Sequence, residues 1–215
     1  MRSSGVLMHI SSLSSPYGIG TMGDAAVQFV DFLKEAGQTY WQMLPVCPTS
    51  YGDSPYQSFS SFAGNPYFID LDYLCLDRLL TKEECNSYEW GDSETEVDYG
   101  ILYQNRYRLL KKAYARFKKD VPEDFEQFCE KEAEWLDNYA LFMALKDANQ
   151  GAAWFTWERD LKFRKKEALE KVKEEKKDEI EFWKMLQYLF YKQWWELKDY
   201  ANENGIKIIG DVPIY

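Results

Sequence analysis

The run Tyr51-Gly52-Asp53-Ser54-Pro55-Tyr56-Gln57-Ser58-Phe59, continuing to Asn65-Pro66-Tyr67, alternates aromatic rings with hydroxyl, amide and carboxylate groups. A pyranose offers an apolar C–H face and an equator of hydroxyls, so a surface that recognises one wants aromatic platforms beside Asp, Ser, Asn and Gln. A loop folded on itself through turn residues has the same composition, and the residues alone leave both readings open. Two further places carry groups of this kind. Ser11 to Gly20 supplies hydroxyls and backbone N–H groups, although any surface loop can look so. Asp211 directly follows the apolar run Ile206 to Gly210, where it is either a ligand-binding acid or a residue that caps a helix or ties down a loop.

Other chemistries are poorly supplied. His9 is the sole histidine, so a His-based metal cluster is excluded and a Ser-His-Asp arrangement would hang on one position. Cys47, Cys75, Cys85 and Cys129 show no CxxC spacing and read as free thiols in a reducing compartment. No metal, phosphate or nucleotide motif is present, so no cofactor is expected. A net charge of -10 opposes binding to nucleic acid, which rests on neutralisation of phosphates by Lys and Arg. Without a run of about 18 apolar residues or an apolar leader behind Arg2, neither membrane insertion nor export is expected, and the chain reads as cytoplasmic.

The elements that must position these groups follow from hydrophobic spacing. Gly5 to Ile10 reads as a buried strand feeding a loop, and Val27, Val30 and Leu33 mark a helix of about three turns closed by Gly37. Tyr40 to Val46 is a second strand, so a parallel strand-helix-strand unit is implied. The loop from Pro48 to Asp72 is long enough to suggest a functional reason. Helical patterns dominate from Tyr99 to Phe182, and within them the mixed charges of Arg164 to Glu179 suggest a solvated helix with pairs such as Glu167 and Lys171. Trp183, Leu186, Phe190, Trp194, Leu197 and Ala201 continue at helical spacing to Gly205, and Ile206 to Gly210 forms a third strand.

These elements imply an α/β fold, the N-terminal part of a (β/α)8 TIM barrel with about three strands and a large helical insertion. The expected organisation is first barrel strands and helix at 1–47, a substrate-side loop region at 48–98, a helical insertion at 99–182, and a barrel helix with the third strand at 183–215. Three parallel strands buried on both faces need further elements around them, so the protein is expected to continue past Tyr215. A helical interaction module on a partial sheet is the competing reading.

The runs Leu7-Met8-His9-Ile10-Ser11-Ser12-Leu13, Ser15-Pro16-Tyr17-Gly18-Ile19-Gly20 and Tyr40-Trp41-Gln42-Met43-Leu44-Pro45 resemble those of the bacterial 4-alpha-glucanotransferases of glycoside hydrolase family 77. So do the loop Tyr51 to Pro66, the segment Ile208 to Tyr215, and Trp135 to Lys146, so the likeness spans essentially the whole chain. The resemblance implies retaining transfer of α-1,4-glucan segments between donor and acceptor sugars, with the nucleophile and acid/base on later strands and therefore no catalytic residue in this chain. It implies that Tyr56, with Ser54 nearby, lines the subsite beside the scissile bond, and that Asp211 orients the reacting sugar. Tyr51 and Tyr99 are similar to a tyrosine pair that serves a secondary glucan site in some members. Ser14, Cys47 and Ser50 depart from the family's usual Pro and small residues, which concerns loop stiffness. A hydrolase of the related amylase clan differs only in whether water or sugar takes the glycosyl group.

Overall fold

The computed structural model describes residues 2–50, 52–93 and 95–213. It contains a three-stranded parallel sheet in the order β1 (Gly5–Leu7), β2 (Tyr40–Gln42), β3 (Lys207–Ile209). The register pairs Gly5 with Tyr40 and Lys207, Val6 with Trp41 and Ile208, and Leu7 with Gln42 and Ile209. Successive strand side chains alternate faces. The middle row lies on the face covered by α1 (Asp24–Glu35), where Trp41 is fully buried and meets Phe29 edge-on at 5.0 Å. The Trp41 indole N–H donates to the Met8 carbonyl at 2.7 Å, which fixes the ring across the strand pair.

Here the structure corrects one expectation. The strands are three residues long and are not buried on both faces: Leu7 is 55% and Ile209 42% exposed. Their row projects from the face opposite Trp41, and no element among the described residues covers them.

In α1 the buried stripe is Ala26, Val30 and Leu33, while Val27 is only half buried. The helix ends as expected, with Gly37 at φ 67°. After β2 come a short 3-10 turn at Pro66–Phe68 and, within the expected loop region 48–98, two helices, α2 (Leu71–Leu76) and α3 (Lys82–Asn86). Each has a side-chain cap. Asp70 accepts the Tyr73 N–H at 3.0 Å, and Thr81 with Glu84 forms a reciprocal capping box.

The long α4 (Tyr99–Phe117) starts at Asp98, which accepts the Ile101 N–H at 2.9 Å. Its buried stripe is Leu102, Arg106, Leu109, Leu110 and Ala113. Arg106 is fully buried, and its Nη2 donates to the Tyr67 carbonyl at 3.0 Å and to the Ile69 carbonyl. The Trp90 ring lies 5.8 Å from the guanidinium carbon. Burial without a carboxylate bonded to it lowers its pKa to about 10.

The chain divides into two compact units, one formed by Met1–Val121 with Leu189–Tyr215 and the other by Pro122–Tyr188. The second contains α5 (Glu123–Lys131), α6 (Ala133–Ala148), α7 (Arg159–Lys162), α8 (Lys166–Glu175) and the start of α9 (Lys177–Glu203). Within it the Tyr188 hydroxyl donates to Asp124 at 2.8 Å, Lys184 pairs with Asp137 at 2.6 Å, and the Trp183 N–H donates to Asp147 at 3.1 Å. The charged stretch is two helices broken at Lys176, not one. Lys166 with Glu170 and Lys171 with Glu175 sit at i,i+4 at 3.8 Å, exposed pairs worth only a few tenths of a kcal/mol each, ~0.3–0.5. No helix of the described residues is long and apolar enough to cross a membrane.

Candidate functional site

All three strands end on one rim of the sheet, where Met8 N–H donates to Gln42 at 3.0 Å and Met43 N–H to Ile209 at 2.9 Å. Beyond these bonds the backbone is released into loops. The loop after β2 is tied at its base, because the Asn65 N–H donates to the Val46 carbonyl at 2.9 Å. Inside it, turn bonds run from Ser50 N–H to Gln57 at 3.0 Å, from Asp53 N–H to Ser50 at 3.1 Å and from Gln57 N–H to Ser54 at 3.1 Å. Asp53 adopts φ 54°, a left-handed conformation that Asp tolerates better than most residues. The loop therefore bonds to itself, and that bonding presents particular side chains.

Chief among these is Tyr56. Its hydroxyl donates to Oδ2 of Asp211 at 2.8 Å, across 155 positions of sequence. The other carboxylate oxygen accepts the Val212 N–H at 2.8 Å. Asp211 is thus held at both oxygens while exposed to solvent, with lone pairs left for a ligand. Its negative charge, through this hydrogen bond, raises the Tyr56 pKa above the usual tyrosine value, so the phenol stays a donor. Ser54 Oγ accepts the Tyr56 N–H at a long 3.4 Å and shapes the turn.

Tyr99 belongs to a different group. Its ring is tilted against Tyr67 at 6.2 Å, and Tyr67 in turn lies 5.8 Å from Tyr107. Burial, and then the charge of Asp53, raise the pKa of both Tyr67 and Tyr99, so Asp53 faces this group from the loop. Asp53 itself is raised by desolvation. Among the described residues no hydrogen bond or ring contact joins Tyr99 to Tyr56, and Tyr51 lies outside them.

The family model described as 4-alpha-glucanotransferase, glycoside hydrolase family 77, matches residues 8–215. The chain belongs to that family. A 4-alpha-glucanotransferase of Clostridium butyricum is 53% identical over 208 residues, covering 97% of this chain and 43% of that protein. One from Streptococcus pneumoniae is 49% identical over 217 residues, covering all of this chain and 43% of its own length. Among solved structures, an amylomaltase from Streptococcus agalactiae in complex with acarbose is 44% identical, with a TM-score of 0.96 over 100% of this chain and 44% of its own. The chain therefore spans less than half the length of the 4-alpha-glucanotransferases it matches.

Supporting residues that hydrophobic spacing does not reveal brace the chain beyond the β2 loop. Arg106 clamps the two carbonyls at the far end of the β2 loop. The signal was there, since a charged residue falls on the apolar stripe of α4. Asp70 accepts the Thr21 hydroxyl at 2.5 Å, while its backbone exchanges bonds with the Gln193 amide at 2.6 and 3.2 Å. Nothing in local sequence marks that pairing, whose partners are 123 residues apart.

Proposed function

We propose that the protein carrying this chain is a cytoplasmic 4-alpha-glucanotransferase that moves α-1,4-glucan segments between sugars, and that this chain supplies the wall that positions the sugar. The observation that carries the reading is the Tyr56–Asp211 bond at the sheet rim, set within a chain of the family. A carboxylate fixed at both oxygens accepts hydrogen bonds from neighbouring hydroxyls of one sugar without first losing rotamer freedom. A tyrosine ring beside it offers a face for C–H groups. This arrangement orients a glycosyl unit, and a retaining mechanism needs two carboxyl groups besides, which the family resemblance puts on later strands. The nucleophile and acid/base then belong to parts of the protein outside this chain.

Two features support the larger architecture. The exposed row Leu7, Gln42 and Ile209 fits the inner face of a (β/α)8 barrel, which side chains of the other strands would fill, with 99–182 as a helical insertion. The acarbose complex of the Streptococcus agalactiae relative supports a glucan as ligand. Tyr99 and its tyrosine neighbours, with Tyr51, form the candidate for a secondary glucan site.

With maltotriose, the full-length protein is expected to release glucose together with longer maltooligosaccharides, whereas glucose and maltose alone would indicate hydrolysis. Tyr56→Ala is expected to lower kcat/KM at least about tenfold, equivalent to about 1.4 kcal/mol of transition-state binding, and by more than Tyr99→Ala. Equal losses would remove the assignment of Tyr56 to the reacting sugar.

A further inference from the structure

Cys75 on α2 and Cys85 on α3 place their sulfurs 3.7 Å apart, and both are free thiols. Cys85 is fully buried, whereas Cys75 is partly open to solvent near the end of its helix. A disulfide requires sulfurs about 2.05 Å apart, so the two need to close by under about 2 Å. The two helices are already adjacent along the chain and in space, and the segment between them makes a tight return through Leu79 N–H and Leu80 N–H, both donating to Leu74.

We propose that Cys75 and Cys85 form an oxidation site that a hydroperoxide converts into a reversible disulfide linking α2 to α3. The exposed thiol reacts first. Cys75, as thiolate, attacks the peroxide, the O–O bond breaks, and the departing oxygen takes the thiol proton and leaves as an alcohol or water, giving a sulfenic acid. The Cys85 sulfur then attacks Cys75, the S–O bond breaks, and water leaves carrying the Cys85 proton as the S–S bond forms. The two thiols together lose two electrons and the hydroperoxide gains them.

The environment sets the pace. Burial raises both thiols, Cys85 to about 12. The charges facing Cys75 are Asp72 and Asp70, which oppose ionisation, and Lys82, which favours it; Cys85 faces Asp72 and Arg106. The site is therefore slow at neutral pH and accelerates about tenfold per pH unit in the alkaline range, because the thiolate is the reacting form.

The test is peptide mapping of the native protein after hydrogen peroxide treatment, alkylation of remaining thiols and tryptic digestion. Trypsin cuts after Arg78 and Lys82, so the two cysteines fall in separate peptides, and fragmentation distinguishes Cys75 from Cys47 in the first. The expected product is a Cys75–Cys85 cross-linked pair that a dithiol reductant reverses, unchanged in Cys129→Ser and absent in Cys75→Ser. In Cys85→Ser a sulfenic-acid trap is expected to label Cys75. The proposal is overturned if Cys75 and Cys85 of the wild-type protein both remain alkylatable, if Cys75 over-oxidises without a link, or if it pairs with another cysteine. The wild-type map carries the decision should either variant fail to fold.

Discussion

Acidification should weaken the fold through one residue, His9, and the size of that effect follows from its surroundings. The ring is 8% exposed, lies edge-on to Phe68 at 5.3 Å, and has no partner for Nδ1 among the described residues. Desolvation lowers its pKa from 6.5 to about 4. In the unfolded chain His9 takes a proton below about pH 6.5, and in the folded chain only below about pH 4, so the unfolded state binds more protons between those values. The resulting stability is fully present above pH 6.5 and is lost as pH falls towards 4. At 1.36 kcal/mol per unit the whole contribution is roughly 3 kcal/mol, of which about 2 disappears between pH 7.5 and pH 5. The ring signal that disappears in His9→Gln identifies the His9 proton NMR titration, and urea unfolding of wild type and that variant at both pH values isolates the energy. A ring that titrates near 6.5, or a variant with the same loss of stability on acidification, would refute the reasoning.

Arg106→Lys should destabilise the first unit by about 1–3 kcal/mol, read as a lower urea midpoint at unchanged slope, because a lysine side chain is one atom too short to bring its ammonium to the place of Nη2, which reaches both the Tyr67 and Ile69 carbonyls. Alanine at two glycines separates backbone strain from collision. At Gly37, φ 67° with nothing within 4 Å of an added Cβ, the cost should be about 1 kcal/mol; at Gly18, φ 75° with a Cβ only 2.1 Å from the Trp90 carbonyl oxygen, it should reach about 3 kcal/mol or more. Equal unfolding midpoints for the two variants would show that the Trp90 backbone yields freely.

What could be read along the chain was whatever depends on near neighbours. Helical spacing located α1 and most of α9, where Trp183, Leu186, Phe190, Leu197 and Ala201 are buried and Trp194 is half buried. Gly37 and Gly205 stop their helices at positive φ. The alternation of rings and polar groups after β2 marks the loop as a whole, the family resemblance names Tyr56 within it, and the apolar run before Asp211 draws attention to that carboxylate. That they bond was not legible, since a contact between residues so far apart depends on strand order and register. Neither was the shallow burial of the strands, because an apolar run of three residues looks the same whether one face or two are covered. The capping box of Thr81 and Glu84 is a local signal that marks α3 within 48–98, a span the sequence reading took as a loop region. Arg106 inverts the usual expectation that an arginine faces solvent; its position on the apolar stripe of α4 is the local trace of a distant requirement, two loop carbonyls in need of donors.

The strand order also explains why Tyr56 and Asp211 meet. β2 is the central strand, with β3 beside it and β1 on the other side. Asp211 stands two residues beyond Ile209, which is in register with Gln42, so the loop leaving β2 begins one strand spacing, about 4.8 Å, from the path of Asp211. A loop leaving β1 would begin twice as far away and would have to pass over β2. The β2 loop returns to its own strand end through the Asn65 to Val46 bond, which makes 47–64 a closed excursion rooted at the centre of the rim. Asn65 Oδ1 also accepts the Tyr67 N–H at 3.0 Å, and Arg106 holds the Tyr67 and Ile69 carbonyls just beyond. The root is therefore the buried, bonded part, while Tyr56 near the middle is partly open to solvent. The phenol is delivered to Asp211 by a stem anchored in the core of the first unit, so the position of the pair is set by the strand order and not by the loop alone.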